Sequence, residues 1–232
     1  MQRILDLIER RRLALDETEF LRRMADPGIT PARKLSFAPA MAPFVMAFAD
    51  INKYVLRDET SSDPLQRIIN THTEEDDHHF GMFLQDLRVL GFDDAATFTE
   101  RLEMLWGDGT ARTRQVVYSL TGLIAPADPT MRLVIVEAVE AAGNRTFDKW
   151  RDVAEAFRAE TGKQLYYFGE AHFDLESGHA MGTENIENDL AAIVLTEQQE
   201  KEARALVDKV FQGFIDMGEE LLAHVDRQAQ RV

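Results

Sequence analysis

The chain has 232 residues, no cysteine and a net charge of −15, from 26 Lys and Arg against 41 Asp and Glu. The lack of cysteine excludes disulfides, thiolate metal sites, iron–sulfur clusters and cysteine nucleophiles. The negative charge argues against nucleic acid as a partner, because its average field repels a polyanion. The amino-terminal segment has no signal-peptide run, and the longest apolar stretch, residues 37–49, contains two prolines. We therefore expect a cytoplasmic protein that does not span a membrane.

Apolar residues recur at helical spacing along almost the whole chain, which predicts an all-α fold. The predicted helices cover residues 2–25, 37–57, 64–90, about 93–105, 110–124, 130–160 (with a break at Gly143 left open), 164–181 and 196 onward. Asp63 and Pro64 have the residue types of an N-cap and first helical position, and Gly91 that of the position after a helix end. Thr196 and Gln199 form a capping-box pattern. No stretch has linker composition, so we expect one domain over residues 1–232.

Five of the six histidines fall in two short segments that both lie inside predicted helices. In the first, His72, Glu75 and His79 are spaced i, i+3 and i+7, so on a continuous helix their side chains share one face. His78 points about 100° away from that face and is the weaker ligand candidate.

The second segment repeats the pattern, with His172, Glu176 and His179 spaced i, i+4 and i+7. A third helix adds Glu140 or Glu137 within an otherwise apolar run. A carboxylate on an apolar helix is costly to bury unless it is paired or bound to a metal.

Mixed carboxylate and imidazole ligands suit iron or manganese, with zinc as a further option. Helix bundles build dinuclear sites from inward-facing Glu and His. Either cluster alone would more often be a solvated or structural helix face, but two matching clusters and a carboxylate on an apolar helix together favour a metal site.

With these residues, the sequence resembles the heme-oxygenase-like superfamily, and within it the heme-oxygenase-like di-iron oxidases and oxygenases. The resemblance covers residues 35–225 in helix order and spacing, and it implies a single-domain helical bundle. It also implies that His172, Glu176 and His179 are the His-x3-Asp/Glu-x2-His motif of one metal-bearing helix, although Asp is more usual where Glu176 stands.

The same resemblance implies Glu140, with Glu137 as the alternative, on the preceding metal-bearing helix. On the first metal-bearing helix it implies Glu75 and His79, followed by the closing pair Leu90 and Gly91. The spacing of that helix varies in the family, so His72, Glu74, Glu75 and His78 compete, and a His72 ligand would be an unusual substitution.

The implied function is that of a non-heme oxidase with two irons, or manganese instead, which uses dioxygen to oxidise a small molecule. The chemistry of such proteins includes N-oxygenation, desaturation and oxidative carbon–carbon cleavage, often on amino-acid or fatty-acid substrates of specialised metabolism. Tyr166, Tyr167 and Arg145 are candidate substrate-pocket residues. The expected partners are the substrate and dioxygen. Whether the protein forms a homodimer is left open by the sequence.

Other functions on the same fold remain as alternatives. TenA-type thiaminases use a cysteine nucleophile, which this chain lacks, and heme oxygenases hold heme through a histidine of the first helix, whereas the first histidine here is His72. A cofactor-free oxidase such as the quinone-biosynthesis enzyme of this fold, a small-molecule-binding domain and a ferritin-like iron-binding protein stay open.

Overall fold

The computed structural model describes residues 1–93, 96–178 and 190–227, without the side chains of residues 176–178. Helix makes up 81% of the structure, and the described residues contain no strand. The predicted all-α class is therefore confirmed, while a single domain over residues 1–232 stays a prediction.

Eleven α-helices can be followed through these residues. They are α1 Gln2–Ala14, α2 Glu19–Ala25, α3 Pro31–Lys34, α4 Ala42–Ile51, α5 Pro64–Asp76, α6 Phe80–Val89, α7 Phe98–Trp106, α8 Ala111–Ile124, α9 Pro129–Thr161, α10 Glu170–Gly178 and α11 Glu197–Arg227. Short 3-10 segments occupy Leu15–Glu17, Leu35–Met41 and Asp108–Thr110, and a π-helix, Asn52–Leu56, directly follows α4.

Several helix ends follow the predicted local chemistry. The Asp63 carboxylate accepts hydrogen bonds from the backbone N–H groups of Leu65 and Gln66, as expected of an N-cap. Gly91 has a φ of 80°, which a glycine adopts at little cost. The Thr196 hydroxyl accepts from the N–H of Gln199, whose side chain accepts from Thr196 in return. These three ends were predicted correctly because capping is a local interaction.

The first two predicted helices are wrong as continuous elements. The segment 2–25 is broken before α2, where the Thr18 side chain accepts from the N–H of Leu21 and starts a new helix. The segment predicted at 37–57 is a 3-10 turn, α4 and the π-helix in succession. Pro39 lies inside the 3-10 turn and removes a backbone donor there.

The later predicted helices also differ from the observed ones. The segment 64–90 is divided into α5 and α6 by residues 77–79. Helix α7 starts at Phe98 rather than near residue 93, because Thr97 and Glu100 form a capping box. Gly143 does not interrupt α9, which runs for 33 residues. Helix α10 starts at Glu170 rather than at residue 164.

Helix α9 is the central element, and it packs against α1, α2, α3, α5, α8, α10 and α11. Buried apolar residues form one cluster that extends from Ile4 to Val225. An aromatic group lies within it, with Trp150 of α9 against Phe37 and Phe168 at ring-centre distances of 5.5 and 5.4 Å. This packing fixes the position of α9, and therefore of Glu140, relative to α5 and α10.

The run Pro31–Leu56 is, by length and composition alone, long and apolar enough to cross a membrane. Of its most apolar window, 61% is buried against the rest of the protein. Packing in the core is therefore a sufficient explanation of its apolar character.

Candidate metal centre

The carboxyl-terminal end of α5 supplies the first two side chains of the candidate centre. His72 and Asp76 are one turn apart and each only 3% exposed. The Nε2 atom of His72 lies 3.1 Å from Oδ2 of Asp76. Arg57 holds this end of the helix, since its guanidinium donates to Thr73 Oγ1 at 3.1 Å and to Asp77 Oδ2 at 2.8 Å.

Helix α9 adds Glu140 from the opposite side. Its Oε1 atom lies 3.2 Å from the same Nε2 atom of His72. The ligand atoms of His72, Asp76 and Glu140 all lie within 4.8 Å of one another, so the three side chains could hold one metal ion. One nitrogen thus faces two carboxylates within a largely buried space.

Two more imidazoles continue the cluster beyond Asp76. The Nδ1 atom of His79 lies 3.8 Å from Oδ1 of Asp76. It also lies 3.2 Å from Nε2 of His172. His79 and His172 are 8% and 2% exposed. The five side chains therefore form a chain of near neighbours in the order Glu140, His72, Asp76, His79, His172.

The orientation of the His172 ring follows from its hydrogen bond to the backbone. Its Nδ1 atom lies 3.0 Å from the carbonyl oxygen of Tyr167, and a carbonyl only accepts, so Nδ1–H is the donor. In the neutral ring, Nε2 then carries the lone pair and faces His79. The Tyr167 ring stacks on the imidazole at a centroid distance of 4.6 Å, which further limits rotation.

Asp86 of α6 holds the turn that precedes α10. Its carboxylate is completely buried and accepts hydrogen bonds from the N–H groups of Tyr166 at 2.7 Å and Phe168 at 3.0 Å. Burial raises the pKa of Asp86, although these backbone donors oppose that shift. Only Gly169 lies between Phe168 and the start of α10. By holding Tyr166 and Phe168, Asp86 therefore positions the start of the helix that carries His172.

The donor set fits a transition-metal site. Nitrogen and oxygen ligands lie about 2.0–2.2 Å from such an ion, so adjacent ligand atoms are about 3 Å apart. The separations of 3.1 and 3.2 Å around His72 Nε2 match that spacing. Imidazole with carboxylate is a ligand set suited to iron and manganese.

The electrostatics of the site favour a positive charge between the two carboxylates. Burial alone lowers the pKa of His72, but the charge of Glu140 and the hydrogen bonds of Asp76 and Glu140 outweigh it and raise that pKa to about 11. In the metal-free protein, the His72 imidazolium therefore supplies the positive charge that a bound cation would bring.

Two apolar cavities adjoin the cluster. One, of about 60 Å³, is lined by Asp76, His79, Glu140 and His172 together with apolar side chains. The other, of about 150 Å³, lies farther from the cluster and is lined mainly by apolar and aromatic residues of α2, α9 and α11. Both share the lining residues Phe44, Gly143, Phe147, Tyr167 and Phe214. These shared residues connect the surroundings of the larger cavity with those of the cluster.

The structure brings together three of the six predicted ligands, His79, Glu140 and His172, and adds His72 from the less certain set. Glu75 and Glu137 are half-buried near the cluster and stay predictions. His78 has a 70% exposed side chain and lies 3.6 Å from Asp77, which agrees with its weak candidacy.

Two predicted ligands of the second motif cannot be placed. The side chain of Glu176 and the whole of His179 lie outside the described residues. Their roles stay predictions from the sequence.

Of the predicted pocket residues, Tyr167 lines both cavities. Tyr166 contributes its backbone N–H to Asp86 and its side chain is half-buried. Arg145 forms ion pairs with Asp16 and Asp148, and its Nε donates to Asp16 Oδ1 at 2.8 Å. Its guanidinium is thereby engaged between the 3-10 segment Leu15–Glu17 and α9, and Arg145 is not among the residues that line either cavity.

Asp76 was missed in the sequence. Asp76 stands four residues after His72 and Glu75 three residues after it, and both spacings place a side chain beside His72 on one helix face. Treating 64–90 as one helix favoured Glu75, because Glu75 aligns better with both His72 and His79. The end of α5 at Asp76 removes that reason, and an exposed fraction of only 3% distinguishes Asp76 from its half-buried neighbour.

Comparison with known proteins adds no assignment: no protein-family model matches the chain, and no curated protein has a significantly similar sequence.

Proposed function

We propose that the protein is a non-heme, metal-dependent oxidase or oxygenase that uses dioxygen to oxidise a small, mainly apolar molecule. The observation that carries the proposal is the continuous buried cluster of Glu140, His72, Asp76, His79 and His172 beside the apolar cavities. Buried carboxylates and imidazoles that converge on one cavity are expensive to maintain in a fold and mark functional sites.

The position of Asp76 supports two metal ions rather than one. Its Oδ2 atom faces His72 at 3.1 Å, while its Oδ1 atom faces His79 at 3.8 Å. A carboxylate whose oxygens face different imidazoles is placed to be shared by two ions. His72 and Glu140 would then hold one ion and His79 and His172 the other. Iron is the proposed metal, with manganese as the alternative.

Bound ferrous ions would supply the electrons that activate dioxygen. The chain's own side chains would control the access of water and the orientation of the substrate. Tyr167 and Phe147 lie against His172, with ring-centre distances of 4.6 and 4.2 Å, and restrict the access of water. The apolar lining of the larger cavity would orient a hydrocarbon-rich substrate toward the cluster through the shared aromatic residues.

Anaerobic reconstitution with ferrous iron, followed by iron counting, tests the metal site. We expect about two irons per native chain in this dinuclear arrangement. Alanine at His72 or His172 should remove at least one iron. Alanine at the exposed His78 is the matched control and should leave the stoichiometry unchanged. Native-like iron content in both the His72 and His172 variants, each shown to be folded, would contradict the proposal.

A metal-free function is the second candidate, and the charge state of His72 favours it. An imidazolium held between Asp76 and Glu140 completes the cluster without a metal ion. A cofactor-free oxidase or a binding domain could use such a cluster to hold a polar group of its ligand. Absence of bound iron after reconstitution would favour this candidate.

A ferritin-like iron-binding function differs from the proposed oxidase in its use of dioxygen. Iron-loaded protein supplied with a chemical reductant should take up dioxygen in catalytic excess over iron, above the uptake by the reductant alone, only when an oxidisable apolar substrate is added. A panel of apolar amines, acids and alkenes would be tried as substrates. Dioxygen uptake that never exceeds the amount needed to oxidise the bound iron would favour an iron-binding function instead.

A further inference from the structure

A third, very small cavity borders His72. Its volume is about 10 Å³, and it is lined by His72, Glu140 and Asn52 together with apolar residues of α8 and α9. Asn52 is 1% exposed and is the first residue of the π-helix. It takes no part in the cluster described above.

Three polar atoms of the lining residues lack hydrogen bonds. They are Oδ1 and Nδ2 of Asn52 and Nδ1 of His72, none of which has a partner in the part of the chain that the structure describes. Leaving a buried donor or acceptor without a partner costs about 1–3 kcal/mol per group. Native proteins commonly satisfy such groups with an ordered water.

The backbone around Asn52 is itself unusual. Helix α4 widens into a π-helix at this residue, and π-turns inside α-helices are rare and are found frequently at functional sites. The π-helix ends at Leu56, and the next residue is Arg57, which holds the end of α5 through Thr73 and Asp77. The segment 52–57 therefore borders the same cavity as His72 of α5 and holds the carboxyl-terminal end of that helix through Arg57.

We propose that one buried water binds in this cavity and joins Asn52 to His72. The water accepts a hydrogen bond from Nδ1–H of His72 and donates one to Oδ1 of Asn52. A cavity of about 10–15 Å³ is the smallest that holds a water molecule, and this one provides polar partners on two sides.

The consequence for a metal centre is a fixed His72 ring. With the proton held on Nδ1, the lone pair of the neutral ring lies on Nε2, the atom that faces Asp76 and Glu140 at 3.1 and 3.2 Å. The Tyr167 carbonyl does the same for His172. Asn52 is therefore a positioning residue that acts through His72. This consequence rests on the proposed metal function, whereas the water link does not.

A crystal structure of the metal-free protein tests the water link directly. We expect one ordered water within about 2.6–3.2 Å of both His72 Nδ1 and Asn52 Oδ1. A cavity without electron density for a water, or an Asn52 side chain turned to another partner, would overturn the proposal. This test uses the native protein, so it does not depend on the folding of a variant.

Two substitutions test the positioning role. Asn52→Leu keeps the shape of the side chain but removes its polar atoms, and it should weaken Fe²⁺ binding about 10–100-fold. Asn52→Asp keeps the oxygen acceptor and should restore most of the affinity. Ser36→Ala is the matched control, because Ser36 is also buried with a hydroxyl that lacks a partner among the described residues, but it lines a different cavity beside His224.

Long-range ¹H–¹⁵N spectra of the zinc-loaded protein give a readout that a purely structural role would not change. The native protein should show a slowly exchanging proton on Nδ1 of His72, and Asn52→Leu should lose it. Native-like Fe²⁺ affinity and an unchanged Nδ1 signal in Asn52→Leu would overturn the proposal. If the native protein binds neither Fe²⁺ nor Zn²⁺, the proposed function and the positioning role fail together, and the crystal structure still decides whether the water link exists.

Discussion

At the scale of single residues, Asp76 has the central place in the candidate centre. Its two oxygens face different imidazoles, His72 on one side and His79 on the other. Its neighbour Glu75 differs by one methylene group and one position, yet it is only half-buried. Burial, more than residue type, thus distinguishes Asp76 from the adjacent carboxylate of Glu75, whose role stays a prediction.

Asp76→Asn should weaken iron binding more than the same kind of change at the exposed Glu74. The amide keeps the shape of the carboxylate but removes the charge that two ions would share, so the loss should be at least about 10-fold. Glu74→Gln, at an exposed neighbouring carboxylate, is the matched control, and iron per chain on folded protein after anaerobic reconstitution is the measurement. Equal iron content in Asp76→Asn and the native protein would exclude Asp76 as a ligand.

His72 should make the stability of the metal-free protein depend on pH. Its pKa in the folded state is about 11, well above the ordinary value of about 6.5 for an unfolded chain. The folded state therefore holds a proton that the unfolded state releases across this window. Stability from His72 is complete below about pH 6.5 and falls by at most about 1.4 kcal/mol per pH unit as pH rises toward 11.

Urea unfolding in the presence of a chelator, between pH 7 and 10, measures this effect. The native protein should lose stability with rising pH, and His72→Gln, which lacks the titrating group, should lose less. Parallel curves for the two proteins would show that His72 is not held as an imidazolium.

At the scale of elements, the breaks between helices matter more for the site than the helices themselves. The turn of residues 77–79 separates α5 from α6 and brings His79 toward His172 instead of leaving it two turns along one helix from His72. The turn before α10 depends on Asp86, a residue of α6 that is about 80 positions away in the chain. No local sequence pattern describes such a long-range contact.

Replacing Asp86 should destabilise the fold and disturb His172. Asp86→Ala leaves the N–H groups of Tyr166 and Phe168 without their acceptor, which should cost about 3 kcal/mol. Asp86→Asn keeps one oxygen acceptor and should cost less. Urea unfolding measures the stability, and iron counting on the folded fraction measures the site. Unchanged stability in Asp86→Ala would contradict the role given to this carboxylate.

At the scale of the whole molecule, the larger cavity is formed jointly by α2, α9 and α11 and by residues that also border the candidate centre. An apolar cavity of about 150 Å³ is large enough to take a small apolar molecule such as benzene or xenon. Since this size and lining come from packing alone, the cavity can be tested without knowledge of the substrate.

Crystals under xenon pressure should show xenon in the larger cavity. Gly143 borders both cavities, and a Cβ added there would meet only the Phe147 ring at 3.8 Å. Gly143→Leu should therefore fill the shared region and reduce xenon occupancy, while Gly143→Ala should leave most of it. A native protein that binds no xenon would show that the cavity is not available to apolar ligands.

The sequence by itself determined the features that depend on local interactions. Helical periodicity predicted the all-α class, capping chemistry predicted the starts of α5 and α11, and the apolar run around Glu140 marked that carboxylate for burial. The two histidine segments predicted that His79 and His172 belong to one site, and their nitrogens lie 3.2 Å apart.

Only the tertiary structure showed that Asp76 faces His72 and His79, and how the turns are held. Helical spacing allows both Glu75 and Asp76, and the choice depends on where α5 ends, which Arg57 and the π-helix influence from outside the helix. The cavities likewise arise between elements distant in sequence. Periodicity along one chain segment carries no information about packing across segments, because burial and cavity shape depend on the neighbours that the fold brings together.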